Sequence, residues 1–291
     1  MQGQSLTSGL AVHRPNLPRR SSALPTALIF NASMNMNHSQ RLFPWDGPRW
    51  WAHRGAGRMA PENTLAAFEL GARCGFKAFE CDVKVSADGV AFLMHDTTLE
   101  RTTGESAVAE EKSWAQLSQL DAGRWHSPSF EGVGIPKLAD IARFCFETDS
   151  ALNIEIKPTP GGESRTGELV AIEAAALWRG RSQPLLLSSF STSALRAAKM
   201  AAPHLPRALL LDELTPSWFE QASDLGCAGV VMDQELIDAH SAGSLHDVGL
   251  FLLSYTVNEA RLAERLLRWG VDGLITDVMD RAGWPLDDQL R

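Results

Sequence analysis

The stretch AHRGAGRMAPENTLAAFELGARCGFKAFECDVKVSADGVAFLMHD, running from Ala52 to Asp96, decides the fold. Trp50, Trp51 and Ala52 lead into His53 as the end of a short buried strand, which Gly55 and Gly57 then break. Pro61-Glu62-Asn63-Thr64 reads as a helix start, because Leu65, Phe68 and Leu70 follow at roughly helical spacing. That helix is expected from about Glu62 to Cys74. Ala78 to Val83 reads as a second strand. Ser86-Ala87-Asp88-Gly89 is a turn, and Val90 to Met94 is a short extra strand ending at His95.

The second strand carries the chemistry. Glu80 and Asp82 are two residues apart, so on a strand their carboxylates point to one face. Phe79, Cys81 and Val83 between and beside them are apolar, so the strand is buried on at least one side. Two buried carboxylates repel unless a cation sits between them, and carboxylate oxygen is what Mg2+ or Ca2+ prefers. The plain alternative is a solvent-exposed strand edge with two ordinary acids.

Working outward, strands and helices alternate along the whole chain after Trp50. Ala151–Ile156, Leu185–Leu187, Ala208–Leu211, Cys227–Met232, Leu250–Tyr255 and Val271–Ile275 read as further strands. Helices are expected at about Leu138–Glu147, Gly167–Arg179, Ser191–Met200, Pro216–Asp224, Glu235–Ala242 and Glu259–Trp269, with a short one after the last strand. Eight strand–helix rounds predict a closed parallel α/β barrel, a TIM (β/α)8 barrel. A polar insertion, about 97–136, follows the second strand, with Trp114, Leu117, Leu120 and Trp125 as its expected small core. The barrel domain is placed at 49–291, behind a poorly ordered extension over 1–48.

Such barrels carry their sites at the carboxyl ends of the strands. His53, Glu80 and Asp82, Glu155 and Lys157, Phe190, Tyr255 and Asp277 all fall at or just after strand ends, so they are expected to face one cleft. Glu155 and Lys157 read as a third carboxylate and a phosphate-neutralising cation, with a structural ion pair as the alternative. Arg54 suits a bidentate phosphate contact. Glu62 reads equally as a helix-dipole acid or as a group holding Arg54 or a ligand.

Composition narrows the partners. The 27 basic and 35 acidic side chains give a net charge of -8, which argues against nucleic acid or an anionic membrane. A small anionic substrate remains compatible, because a metal and a few cations can dominate one cleft. Cys74, Cys81, Cys145 and Cys227 show no metal or disulfide spacing, which fits free thiols in a reducing, cytoplasmic setting. Arg19-Arg20 before Ala23–Phe30 resembles an export signal, but Pro25 interrupts a short apolar run. No stretch approaches the roughly 20 apolar residues that span a bilayer.

The ordered motifs resemble those of the glycerophosphodiester phosphodiesterase family, and its small cytoplasmic bacterial type most. They are His53-Arg54-Gly55, Pro61-Glu62-Asn63-Thr64, Glu80-x-Asp82, Asp88-Gly89 and His95-Asp96. Asn153-Ile154-Glu155-Ile156-Lys157-Pro158, Leu187–Phe190, Tyr255–Asn258 and Asp272–Asp277 continue the match in order. The resemblance implies metal-dependent hydrolysis of glycerophosphodiesters to glycerol 3-phosphate and an alcohol. It implies His53 and His95 as the acid–base pair, each beside a residue that orients it, Arg54 or Asp96. Glu80, Asp82 and Glu155 would bind one Mg2+ or Ca2+, and Arg54, Glu62, Lys157, Phe190 and Tyr255 would meet the substrate. Tyr255 departs from the tryptophan frequent there in the family. Phe190, Tyr255 and Trp125 read as an apolar wall or as core, Trp125 more as core. Two other readings stand beside this one. A lipid-directed phospholipase on a similar barrel needs an amphipathic or hydrophobic membrane-meeting element, which is not evident here. A non-catalytic phosphate binder would lack one of the histidines or carboxylates.

Overall fold

The structure is a computed structural model that describes residues 48–280. The extension, with its arginine pair and apolar run, and the short helix after the last strand lie outside the described residues.

The chain forms the expected closed barrel. Among the described residues its eight parallel strands are β1 (Trp50–Ala52), β2 (Ala78–Val85), β4 (Ala151–Ile156), β5 (Leu185–Ser189), β6 (Arg207–Leu211), β7 (Gly229–Asp233), β8 (Phe251–Tyr255) and β9 (Gly273–Thr276). A short β3 (Ala91–Leu93) folds back antiparallel on β2, with Val83 opposite Leu93. The ring closes where β1 pairs with both β9 and β2, Trp51 opposite Ile275 and Ala52 opposite Phe79.

Side-chain alternation sorts β2 into two layers. Phe79, Cys81 and Val83 join the outer core between strands and helices. Phe79 packs 5.2 Å from Phe68 of α1 (Leu65–Arg73) and 5.6 Å from Phe144 of α4 (Leu138–Thr148), centroid to centroid. Ala78 joins the second cluster, with Trp51, Ala151, Leu186, Ala208, Leu210, Val231, Phe251, Leu253 and Ile275, which fills the barrel interior. A period of two then sends Glu80 and Asp82 inward above Ala78, toward the mouth.

Several element bounds differ from expectation for local reasons. Helix α1 begins at Leu65 rather than Glu62, because Thr64 is its N-cap and accepts from Ala67 N. Asn63, at φ 57°, is left-handed and cannot belong to the helix. The helix expected at Glu235 divides into a 3-10 turn, Gln234–Leu236, and α8 (Ala239–Asp247). Asp238 imposes the break by capping Ser241 N at 2.7 Å. The helix expected from Gly167 starts earlier, as α5 (Glu163–Leu177). Helices α6 (Thr192–Ala201), α7 (Trp218–Asp224) and α9 (Ala260–Arg268) follow their strands as expected. No described helix is long and apolar enough to cross a membrane.

Between β3 and α4 the chain forms short α2 (Glu100–Thr103), a 3-10 turn at Ala109–Glu111 and short α3 (Trp114–Leu117). Leu99, Ala109, Leu117, Ala122 and Ile135 close over Phe92 and Met94 of the barrel side, with Trp114 and Leu120 half-buried. Trp125 is corrected: it is 41% exposed, not core, with its indole N–H satisfied by Ala122 O.

Candidate active site

The inward alternation brings Glu80, Asp82 and Glu155 together. Asp82 lies opposite Glu155 in the β2–β4 register. One carboxylate oxygen from each of the three lies within 4.8 Å of the others, and all three residues are buried. Burial, then the charges of Asp82 and Glu155, pushes the Glu80 carboxyl well above its ordinary range. Burial and Asp82 raise Glu155 to about 7. Burial acts the same way on Asp82, but the Arg54 and Lys157 charges outweigh it and hold that carboxyl below the usual range.

Two oxygens in this cluster, Glu80 Oε1 and Asp82 Oδ1, are buried and accept no hydrogen bond. Buried carboxylate oxygens are costly when unpaired. Lys157 Nζ offers only a distant charge to Asp82 Oδ1, at 3.6 Å, because it sits on Glu155 Oε1 at 2.6 Å. A hard divalent cation supplies what these oxygens lack, so the donor set fits Mg2+ or Ca2+. The other oxygens are already used in holding the site. Asp82 Oδ2 accepts from Asn63 Nδ2 at 2.8 Å, and Glu80 Oε2 accepts from Arg54 N at 3.0 Å.

The two histidines flank the carboxylates. His53 follows β1 and pairs through Nδ1 with Asp277 Oδ1 at 2.6 Å, leaving Nε2 3.9 Å from Glu80 Oε2. Arg54, expected as a possible orienting group, turns away from His53. Asp277, just after β9, takes that place because β1 and β9 are ring neighbours. Gly57 permits the approach: at φ 53°, a Cβ there would lie 2.3 Å from the backbone of Asp277. Asn258 fixes the aspartate further, donating from Nδ2 to Oδ2 at 3.0 Å. Burial raises Asp277, but the hydrogen bond and charge of His53 together with the Asn258 hydrogen bond and the Arg58 charge outweigh it and hold the carboxyl low. His95 pairs through Nδ1 with Asp96 Oδ1 at 2.7 Å, and burial lowers its imidazole pKa against the pull of Asp82.

Arg54 is left-handed, at φ 52°, and reaches Glu62 Oε1 at 2.9 Å and Asp82 Oδ2 at 3.1 Å. Glu62 therefore does not serve α1 as a first-turn acid. Its oxygens meet Arg54 and Arg101 instead. Phe190 is 40% exposed at the mouth and stands edge-on to Tyr255 at 6.0 Å. Lys157 Nζ lies 5.4 Å from the Phe190 ring centroid. The Tyr255 hydroxyl donates to Leu211 O at 3.1 Å.

Sequence reading passed over Asn63, Arg101 and the binding role of Asp277 to His53. Asn63 had a signal, since asparagine tolerates the left-handed conformation just before a Thr cap. It grips Asp82 twice, by Nδ2 and by accepting Asp82 N at 3.1 Å. Arg101 had none, because it reaches the site from the insertion.

Comparison with known proteins places this geometry. The model of the Glycerophosphoryl diester phosphodiesterase family matches residues 53–281. A glycerophosphodiester phosphodiesterase of Caldanaerobacter subterraneus subsp. tengcongensis is 32% identical over 235 residues, covering 78% of this chain and 92% of that protein. One from Bacillus subtilis is 28% identical over 246 residues, covering 79% and 83%. The solved structure of an Oleispira antarctica phosphodiesterase in complex with the product sn-glycerol-3-phosphate superposes with TM-score 0.74 at 33% identity, covering 79% of this chain and 93% of that one. The match spans both histidines, all three buried carboxylates and Asp277, and the chain belongs to the glycerophosphoryl diester phosphodiesterase family.

Proposed function

We propose that this chain hydrolyses glycerophosphodiesters to glycerol 3-phosphate and an alcohol, depending on one divalent cation and using His53 and His95 as its acid–base pair. One observation carries the reading. Two buried carboxylate oxygens that accept no hydrogen bond sit in a three-carboxylate cluster flanked by two histidines, each held by an aspartate. Glu80, Asp82 and Glu155 would hold the cation, Mg2+ or Ca2+. When bound, it supplies Lewis-acid polarisation of the phosphoryl oxygens.

The chain's own groups do the rest. Arg54 and Lys157 bring positive charge to the phosphate, and Glu62 holds Arg54 in place. Phe190 and Tyr255 offer the glycerol carbons an apolar wall. One histidine takes the proton of the entering water as its oxygen bonds to phosphorus. The other protonates the alcohol oxygen as the second phosphorus–oxygen bond breaks. Imidazole suits both tasks near neutral pH. The aspartates fix Nδ1, so each Nε2 is the working atom.

The same reading puts the enzyme in the cytoplasm, acting on a small soluble diester with no nucleic-acid or membrane partner. Four free cysteines, three of them buried, support a reducing compartment, and cell fractionation tests it. The activity test uses glycerophosphocholine and glycerophosphoethanolamine with and without EDTA. Release of glycerol 3-phosphate should stop with EDTA and return on adding Mg2+ or Ca2+. Turnover indifferent to chelation contradicts the proposal.

A further inference from the structure

Arg101 belongs to the insertion, on α2, yet its guanidinium ends in the site. Nε donates to Asp96 Oδ2 at 2.7 Å and Nη2 to Asp96 Oδ1 at 3.2 Å. Nη1 and Nη2 donate to Glu62 Oε2 and Oε1, at 2.8 and 2.7 Å. One planar fork thus spans two carboxylates. The first orients His95, and the second holds Arg54. Trp125 covers the guanidinium, 5.6 Å from its ring centroid, and its own N–H is tied to Ala122 O. Asp96 sits on the loop after β3, and its carboxylate is shared between His95 and the Arg101 guanidinium. The Arg101 hydrogen bonds also hold the Asp96 carboxyl down at about 2, so it stays an acceptor for the imidazole.

We propose that Arg101 is a positioning residue for the hydrolysis, fixing the Asp96–His95 pair against Glu62 and making the insertion a working part of the proton-transfer machinery. The inference rests on the reading of His95 as half of the acid–base pair. Arg54 does not depend on Arg101 to the same degree. It keeps Glu62, Asp82 and its backbone bond to Glu80. Loss of Arg101 therefore falls on proton transfer rather than on substrate binding. Lysine cannot replace it fully, because an ammonium lacks the fork that spans both acids.

The test is a kinetic cycle of Arg101→Ala, Arg101→Lys, His95→Ala and His95→Ala/Arg101→Ala, assayed on glycerophosphocholine with saturating divalent cation. Arg101→Ala should lower kcat by about 10–100-fold, the usual worth of a residue that orients a working ligand or base, with KM within about twofold of wild type. Arg101→Lys should recover part of the loss, and it carries the cycle if the alanine variant fails to fold. In the His95→Ala background the same substitution should cost less than about threefold, because residues acting as one unit are not additive. Wild-type kcat in Arg101→Ala, or an undiminished loss in the His95→Ala background, overturns the proposal while leaving the acid–base reading intact. Normal turnover in His95→Ala alone removes the acid–base reading and the proposal with it.

Discussion

Asp277→Asn changes one atom's chemistry at the seam of the barrel, and the surrounding bonds dictate how. Asn258 Oδ1 accepts from Asp277 N at 2.9 Å and from the Thr276 hydroxyl at 3.2 Å, so its amide nitrogen must face residue 277. An asparagine there must turn its oxygen toward Asn258 and its own NH2 toward His53 Nδ1. That nitrogen then accepts, and the imidazole proton moves to Nε2, which stops His53 acting as a base, while the NH2 opposes the Nδ1–H that an imidazolium acid needs. The imidazolium also loses a charge-assisted hydrogen bond, worth about 1.5–3 kcal/mol. At about 1.4 kcal/mol per tenfold, that is roughly 10–150-fold in rate. The wrong tautomer deepens the loss toward about 10⁴, the size seen when a serine-protease triad aspartate becomes asparagine. Asp277→Ala should be milder, because water can accept from Nδ1 and the productive tautomer survives. The expected order of kcat is wild type, then alanine, then asparagine, with calorimetric metal affinity unchanged because Asp277 lies outside the carboxylate cluster. An asparagine variant as active as wild type, or more active than alanine, refutes the tautomer argument.

Glu80→Gln and Asp82→Asn should each weaken Mg2+ or Ca2+ binding in titration calorimetry, and wild-type affinity in both would end the three-carboxylate site. His53→Ala and His95→Ala should each cut turnover by roughly 10²–10⁴-fold at unchanged metal affinity, and the double variant should lose less than the product. A histidine variant that loses the metal instead marks a ligand. In EDTA, Glu155 titrates at about 7 rather than its ordinary 4.5. A raised carboxyl favours the protonated fold, so its effect is absent below about pH 4.5 and destabilises by about 3 kcal/mol above pH 7. Thermal melts from about pH 5 to about pH 8 should therefore fall more steeply for wild type than for Glu155→Gln, and equal slopes contradict the shift. A chain beginning at Met36 should fold and keep full activity, and loss of soluble protein on that truncation would show that the extension is needed.

The barrel was legible because strand and helix signals alternate, and six of the eight barrel strands carry a motif at or near their carboxyl ends. Glu80 and Asp82 were readable as one face from their spacing alone, and Glu155 joined them once parallel neighbours were assumed. What sequence could not give was contact across the ring. His53 was matched with its neighbour in sequence, Arg54, while its partner Asp277 lies 224 residues away and is adjacent only because the barrel closes. The start of α1 was misread because an acid after a proline looks like a first turn. The left-handed Asn63 instead frees Glu62 for two arginines. Trp125 was assigned by hydrophobicity to a core, although its ring lies half in solvent against a guanidinium.

The His53–Asp277 bond also sets a timetable for synthesis. At about 5–20 residues per second, the ribosome needs roughly 10–45 s to travel between the two positions. Throughout that interval β1 has no β9 beside it, and the nascent chain presents a strand edge of the kind that invites association. The edge is only three residues long, which limits the hazard. A message cut short before the final strand would still encode both histidines and all three buried carboxylates. Its product would lack the strand that closes the ring as well as the acid that holds His53, so such fragments should be inert, and activity should begin only once that strand has left the ribosome.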